Sequence, residues 1–172
     1  WSPKDGLNLL AHHSNINDLN GQKLYREFLL ESTLIKHQEY SFIHGVQIQE
    51  YNQEVYQGKP NAPIVNTFTP YVDFTRQLSD QHSLRVDMEY MYTKRDEGSW
   101  ANLLLEYSIA PRWIFSVSDM YNIKPVQGSK RNYYTIGATY SKDVHRFSAN
   151  WVRQRAGIVC TGGICRFEPA FN

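Results

Sequence analysis

The chain is built from stretches in which apolar and polar residues alternate. Between His82 and Thr93, every second side chain from Leu84 to Tyr92 is apolar, and the positions between them are mostly charged or polar. A period of two is that of a β-strand with one apolar and one polar face. The same alternation runs through segments 100–109, 132–140 and 144–155 and, with more exceptions, through 27–75. The pattern therefore predicts about ten antiparallel strands.

The connections between the predicted strands alternate between tight turns and long polar loops. Ser79-Asp80-Gln81 and Ala110-Pro111-Arg112 are short, whereas 53–64, 94–99 and 124–130 are longer and polar. Transmembrane β-barrels show this asymmetry, with short periplasmic turns and longer extracellular loops. Most predicted strands have about 10 residues, the length that a tilted strand needs to cross a bilayer. We therefore predict an all-β fold, an antiparallel up-and-down transmembrane β-barrel.

The alternation assigns each side chain to one of two faces. Charged residues on the polar face are expected to point into the barrel, where they either bridge one another or line an aqueous pore. This predicted interior set is Glu27, Glu31, Asp73, Arg85, Asp87, Glu89, Glu106 and Arg146. The apolar face is expected to contact lipid, and its predicted members are Leu84, Val86, Met88, Leu103, Leu105, Ile136 and Phe147.

Aromatic residues lie near the ends of the predicted strands. Tyr40, Trp113 and Tyr140 stand beside tight turns, and Tyr92 and Trp151 lie toward the long loops. Tyr and Trp are enriched where a membrane meets water, so these five residues form a predicted aromatic girdle. The alternative is that aromatic residues populate strands everywhere.

Three residues depart from the pattern. Pro70 falls within a predicted strand, where it favours an edge strand or a bulge. Asp119 shares the parity of Trp113 and Val117, and Arg153 shares that of Trp151. Either a bulge resets the phase at these points, or both charged residues lie near the outer rim of the barrel, beyond its apolar band.

The composition and charge of the chain exclude some classes of protein. The 172 residues carry a formal net charge of +1, without the basic stripe that a nucleic-acid partner would require. No stretch approaches the roughly 18 apolar residues of a helical span. The sequence opens at Trp1 without a signal peptide. Because an outer-membrane protein is exported, we expect residues 1–172 to be a single domain from a processed or partial chain.

The sequence contains few residue patterns that are typical of catalytic or metal-binding sites. Cys160 and Cys165 enclose four residues, a spacing that fits a disulfide, although a metal knuckle and two reduced thiols are alternatives. The His residues lack the spacing of a metal site, and no Ser is marked as a nucleophile. We therefore predict no metal, no cofactor and no catalytic residue. The loop 53–64 is either a ligand surface or, as we prefer, an ordinary solvated loop.

The segment from Gly157 to Asn172, together with Trp151-Val-Arg-Gln-Arg155, resembles the C-terminal hairpin of uncharacterised Bacteroidota outer-membrane β-barrels. Segments 98–107, 111–113 and 119–122 are similar to the preceding strands of that family. The resemblance implies that a closing strand follows Asn172 and that further strands precede Trp1. It also implies that the loop between Cys160 and Cys165 is extracellular and that the tight turns are periplasmic.

Pattern and resemblance together predict a bacterial outer-membrane protein. Its expected role is that of a porin-like barrel or a scaffold subunit of a cell-envelope complex. The expected partners are outer-membrane lipid and other envelope proteins, with no nucleic acid. The alternatives are an outer-membrane enzyme such as a lipid hydrolase, and a soluble secreted β-sandwich that binds a ligand.

Overall fold

The computed structural model of the protein describes residues 5–18, 21–36, 38–54, 58, 60–128, 130–153, 157–161 and 164–168. For 157–161 and 164–168, it describes the backbone. None of the described helical segments has the length and hydropathy of a membrane-spanning helix.

Nine strands form one antiparallel sheet. In chain order they are β1 (Gly6–Asn17), β2 (Lys23–Lys36), β3 (Tyr40–Tyr51), β4 (Val65–Gln77), β5 (His82–Met91), β6 (Ser99–Ile109), β7 (Trp113–Lys124), β8 (Asn132–Lys142) and β9 (His145–Val152). A separate two-stranded hairpin consists of β10 (Gly157–Thr161) and β11 (Ile164–Glu168).

Each strand of the large sheet pairs with its neighbours in sequence, so the sheet is an up-and-down meander. The prediction of an all-β, antiparallel, up-and-down fold is confirmed. The predicted closure is not observed, because β1 and β9 lie at opposite edges and do not pair within the described residues. The described chain is thus an open sheet rather than a closed barrel.

The connections alternate as the sequence predicts. Segments 37–39, 78–81, 110–112 and 143–144 join strands at one end of the sheet, and all are short. Segments 18–22, 52–64, 92–98 and 125–131 join strands at the other end, and all are longer. We call these the tight-turn end and the long-loop end.

Pro70 lies in the interior of the sheet, which contradicts the expected edge or bulge. It pairs with Val46 of β3, and β4 has β5 on its other side. The β4–β5 ladder runs from Tyr71 to Gln77 and resumes at a bridge between Phe68 and Tyr92 in the same register. Because proline has no N–H to donate, the ladder opens at Pro70 without a register shift.

The hairpin of β10 and β11 places Cys160 and Cys165 directly opposite each other in its register. Cα atoms of directly opposed antiparallel residues are about 4.5–5.5 Å apart, a separation that a disulfide accepts. The two side chains lie outside the described part of the structure. The disulfide therefore stays a prediction.

The side chain of Tyr71 on β4 crosses β3 at Gly45 and contacts β2. Gly45 of β3 pairs with Glu31 on one side and with Tyr71 on the other. The Tyr71 hydroxyl donates a hydrogen bond of 2.7 Å to the Glu31 carboxylate, two strands away. A Cβ on Gly45 would lie 2.6 Å from both the Tyr71 hydroxyl and the Leu30 carbonyl oxygen. Only glycine leaves room for Tyr71 to lie across β3.

We expect Gly45→Ala to lower the free energy of unfolding by about 2 kcal/mol, because the added methyl group overpacks a backbone contact. Gly137→Ala is the matched control, since its Cβ would meet mainly the side-chain oxygens of Asn150 and Ser116. Rotation of these side chains should keep its cost below about 1 kcal/mol. Urea unfolding in detergent measures both values, and equal costs would contradict the proposed crossing.

Candidate functional site

The two faces of the sheet differ in exposure. A water-soluble sheet exposes its polar face, whereas this sheet exposes its apolar face. In β4, Phe68 is 46% exposed, whereas Thr67 and Thr69 on either side of it are each 3% exposed. In β7 and β8, Val117 and Ile136 are 48% and 51% exposed. The apolar face is therefore the open one, and the polar face is the sheltered one.

The strand register places the predicted residues on the faces to which the alternation of apolar and polar residues assigned them. Continuous pairing from β2 to β9 brings all eight predicted interior residues to the polar face. The seven predicted lipid-facing residues lie on the apolar face, with the five predicted girdle residues. The structure thus shows which side chains share a face, while their contact with lipid or with a lumen stays a prediction.

An ionic cluster occupies the middle of the polar face. The Arg85 guanidinium donates hydrogen bonds of 2.9 and 2.6 Å to the Asp73 carboxylate, and it lies 3.8 Å from Asp87. Glu106 is the cross-strand neighbour of Arg85 on β6. One cation therefore compensates several carboxylates.

Glu27 and Glu31 are held by neutral donors instead. Gln47 donates a hydrogen bond to the Glu27 carboxylate, and Gln49 approaches the same carboxylate at 3.4 Å. Glu31 accepts the bond from Tyr71 described above. Among the described residues, ion pairs therefore join three of the eight charged residues, Arg85, Asp73 and Asp87.

Two members of the set stand apart from these contacts. Arg146 lies on the exposed edge strand β9 opposite Ser141, close to the tight-turn end. Glu89 makes no hydrogen bond or ion pair with the described residues, and its neighbour on the same face of β5 is the like-charged Asp87. Glu89 is exposed, so water can solvate its carboxylate.

Charged and aromatic residues bound the apolar face at both ends. At the long-loop end of β2 and β3, Glu50 accepts contacts of 2.7 Å from both Lys23 and Arg26. At the tight-turn end, the rings of Trp113 and Tyr140 pack with centroids 4.7 Å apart. The apolar residues thus form a band between these two limits.

The rim interpretation fits Arg153, which follows the end of β9, whereas Asp119 lies within the apolar band without a bulge. The register of β6 and β7 is continuous from Ile109 to Trp100, which keeps Asp119 on the apolar face opposite Leu103. Asp119 is followed toward the long-loop end by Tyr121, and one buried oxygen of its carboxylate has no hydrogen-bond partner in the described residues. The Arg153 guanidinium donates a hydrogen bond to Asn132, which lies opposite Tyr121.

A cavity opens at the long-loop end of the polar face, where the 92–98 connection folds over β5 and β6. Its volume is about 250 Å³. We call it the loop pocket. Its described lining residues are Tyr51, Glu89, Met91, Thr93, Asp96, Glu97, Gly98, Trp100, Asn102 and Met120.

The 92–98 connection forms the roof of the loop pocket, and buried polar contacts stabilise it. The Ser99 hydroxyl, which is fully buried, accepts a hydrogen bond from the Thr93 N–H and donates one to the Thr93 carbonyl. The Asn122 amide donates a 2.9 Å hydrogen bond to the Glu97 carbonyl. Gly98 adopts φ +88° against the Lys124 backbone, where a Cβ would clash. These contacts hold the connection in one conformation.

The sequence analysis did not identify the loop pocket. It singled out loop 53–64 as the possible ligand surface, and of that loop residues 55–57 and 59 lie outside the described part. The available signal was Glu97-Gly98-Ser99-Trp100, an acidic turn with a positive-φ glycine directly before a tryptophan. Among the described residues, no group of three or more His, Cys, Asp and Glu side chains is arranged to hold a metal ion.

Comparison with known proteins gives one result. A protein-family model described as a family of unknown function, DUF6029, matches residues 5–172. No curated protein and no solved structure matches the chain.

Removing the central cation should destabilise the sheet. We expect Arg85→Met to lower the free energy of unfolding by about 1–2 kcal/mol, because Asp73 and its acidic neighbours lose their counterion in a half-exposed setting. Arg76→Met, an exposed arginine at the tight-turn end, is the control and should cost less than about 0.5 kcal/mol. Urea unfolding of both variants tests this, and a neutral Arg85→Met would show that the cluster contributes nothing to stability.

Proposed function

The chain belongs to the DUF6029 family of unknown function, and we propose that it forms the wall of a bacterial outer-membrane β-barrel. In this proposal the apolar face contacts lipid and the sheltered polar face lines the interior. The long loops are extracellular and the tight turns are periplasmic. The protein acts as a porin-like barrel or as a scaffold subunit of a cell-envelope complex.

One observation carries the proposal: apolar side chains are exposed where polar side chains are sheltered. Leaving apolar surface in water costs roughly 25 cal/mol per Å². Large continuous apolar patches on soluble proteins are rare and mark contact surfaces. The exposed band runs from Phe68 through Leu105 and Val117 to Ile136, across five strands of a single sheet. Hydrocarbon is the environment in which this arrangement is favourable.

The dimensions of the strands support the same proposal. Eight of the nine strands have 10 residues or more, from β5 with 10 to β2 with 14. Strands of globular proteins usually have about 5–6 residues, whereas transmembrane strands have about 9–11. The resemblance to Bacteroidota outer-membrane barrels, noted from segments 98–107 and 151–172, agrees with this assignment.

The open edges require partners in a membrane. An unpaired strand edge leaves backbone N–H and C=O groups without hydrogen bonds, and hydrocarbon cannot provide them. We therefore propose that further strands pair with β1 and β9 and complete the barrel. In a porin-like barrel those strands come from the same polypeptide. In a scaffold subunit they come from another subunit.

The first test asks whether the protein behaves as a membrane barrel. We expect it to partition into the detergent phase, and we expect its unheated form to migrate differently from its boiled form in SDS gels, because transmembrane barrels resist unfolding by SDS. A protein that remains in the aqueous phase and shows no heat-dependent shift would contradict the membrane assignment and favour the soluble β-sandwich.

The second test uses two adjacent residues on opposite faces of β6. Leu105 is 41% exposed on the apolar face, and Leu104 lies on the sheltered face. In vesicles, Leu105→Arg should cost about 2–4 kcal/mol of unfolding free energy, because the charge enters hydrocarbon. Leu104→Arg should cost less, since it enters a polar interior. In a water-soluble sheet the order would be reversed, because the exposed position would tolerate the charge.

A further inference from the structure

A groove lies on the apolar face of β4 to β7, in the half of the sheet nearer the long-loop end. Its volume is about 500 Å³, and we call it the apolar groove. Val72, Met88, Leu103 and Asp119 line it side by side, one from each strand. In the next row toward the long-loop end, the small side chain of Ala101 lies between two tyrosines, which leaves the depression.

Asp119 is the charged side chain of this lining on the apolar face. One oxygen of its carboxylate is buried and has no hydrogen-bond partner among the described residues. Hydrocarbon offers no hydrogen bonds, and ionisable side chains at membrane depth are costly unless they are paired. A carboxylate only accepts hydrogen bonds. In a membrane, the occupant that fits the groove therefore carries an O–H or N–H donor at the level of Asp119.

Two cations flank Tyr121, which lines the groove toward the long-loop end. The Lys130 ammonium lies 5.9 Å from the centroid of the Tyr121 ring. The Arg153 guanidinium donates a hydrogen bond to Asn132, the cross-strand neighbour of Tyr121. Both of these contacts are with neutral groups. Basic side chains at a membrane boundary bind lipid phosphates, so this end of the groove favours an anionic headgroup.

The order of these groups along the strand matches the order of groups along a lipid. Tyr121 and Asp119 are two residues apart on one face of β7, which is about 7 Å. A phosphate beside Lys130 therefore places the first polar atoms of the acyl chains near Asp119. The chains then pass over Leu103 and Met88, which are 40% and 49% exposed. Ester oxygens at that level only accept hydrogen bonds, whereas amide and hydroxyl groups donate them.

We propose that the apolar groove binds a phosphorylated membrane lipid that carries amide or hydroxyl donors at the head of its acyl chains. The phosphate contacts Lys130 and Arg153, and the donors bond to the Asp119 carboxylate. The groove has the volume of a small-molecule site, roughly 300–1,000 Å³, so it holds the upper part of the lipid while the chain ends remain in the bilayer. The inference rests on the proposed membrane location and adds a preference for one class of lipid.

The test compares two lipid probes, ceramide 1-phosphate and phosphatidic acid of matched chain length. Both carry a phosphate monoester, but only ceramide 1-phosphate has amide and hydroxyl donors near the phosphate. The full chain is reconstituted in phosphatidylcholine vesicles that contain equal amounts of both probes, and native mass spectrometry measures which lipid it retains. We expect about tenfold preference for ceramide 1-phosphate. Equal retention, or a preference for phosphatidic acid, would overturn the proposal.

A variant of Asp119 tests the origin of the preference. Asp119→Leu should lower the retention of ceramide 1-phosphate to that of phosphatidic acid, because the acceptor for its donors is gone. The retention of phosphatidic acid should not fall. Val117→Leu, on the same face of β7 and outside the groove, is the control and should keep the preference. A preference that persists in Asp119→Leu would contradict the assigned role of the carboxylate.

A variant of Lys130 tests the position of the phosphate and keeps the test decisive if Asp119→Leu does not fold. Lys130 is exposed in the 125–131 connection. Lys130→Gln should weaken the retention of both probes by a similar factor, about tenfold. Lys142→Gln, at the tight-turn end of β8, should change neither. Unchanged retention in Lys130→Gln would overturn the proposed site.

Detergent partitioning of the same protein separates the two proposals. A protein that partitions into detergent and shows no preference between the probes contradicts the lipid site alone. A protein that remains in the aqueous phase contradicts the membrane assignment, and the lipid site with it.

Discussion

The unbroken antiparallel register is the constraint on which the rest of the structure depends. Side chains alternate with a period of two, so a slip of one residue in any strand would move all its apolar side chains to the polar face. In the large sheet, register shifts occur only between Ile16 and Asn17 and between Ser99 and Trp100 within the described pairings. Both lie at the long-loop end. Between those points and the tight turns, every strand keeps the two faces separate.

The same register explains why the polar face needs small residues at chosen points. Side chains on a sheltered face compete for space, and Tyr71 reaches Glu31 only because Gly45 lies between them. Gly137 gives similar room to Asn150 from β9. The hydrogen bond from Tyr71 to Glu31 therefore ties β4 to β2, which are not direct neighbours. Such ties add to the backbone ladder, and they restrain how the sheet can bend around its polar side.

Much of this arrangement can be predicted from the sequence, because strand parity is a local property. The faces of Leu105 and Arg85 follow from the residues beside them, and the tight turns follow from short polar segments. Pro70 was misjudged for a physical reason: its missing N–H affects the pairing with β5, while its pairing with β3 continues. The loop pocket was missed because Tyr51, Glu89 and Trp100 meet only after three strands and a connection are assembled.

The two ends of the sheet differ in what their connections can do. Tight turns have too few residues to fold back over a face, and the tight-turn end presents the Trp113 and Tyr140 rings together with the Lys36–Glu39 ion pair. The 92–98 connection is long enough to cover the polar face, and buried bonds at Ser99 and Asn122 hold it there. A cavity with a fixed roof can then form at that end while the ionic cluster around Arg85 fills the middle of the face. The length of the 92–98 connection thus accounts for the position of the loop pocket.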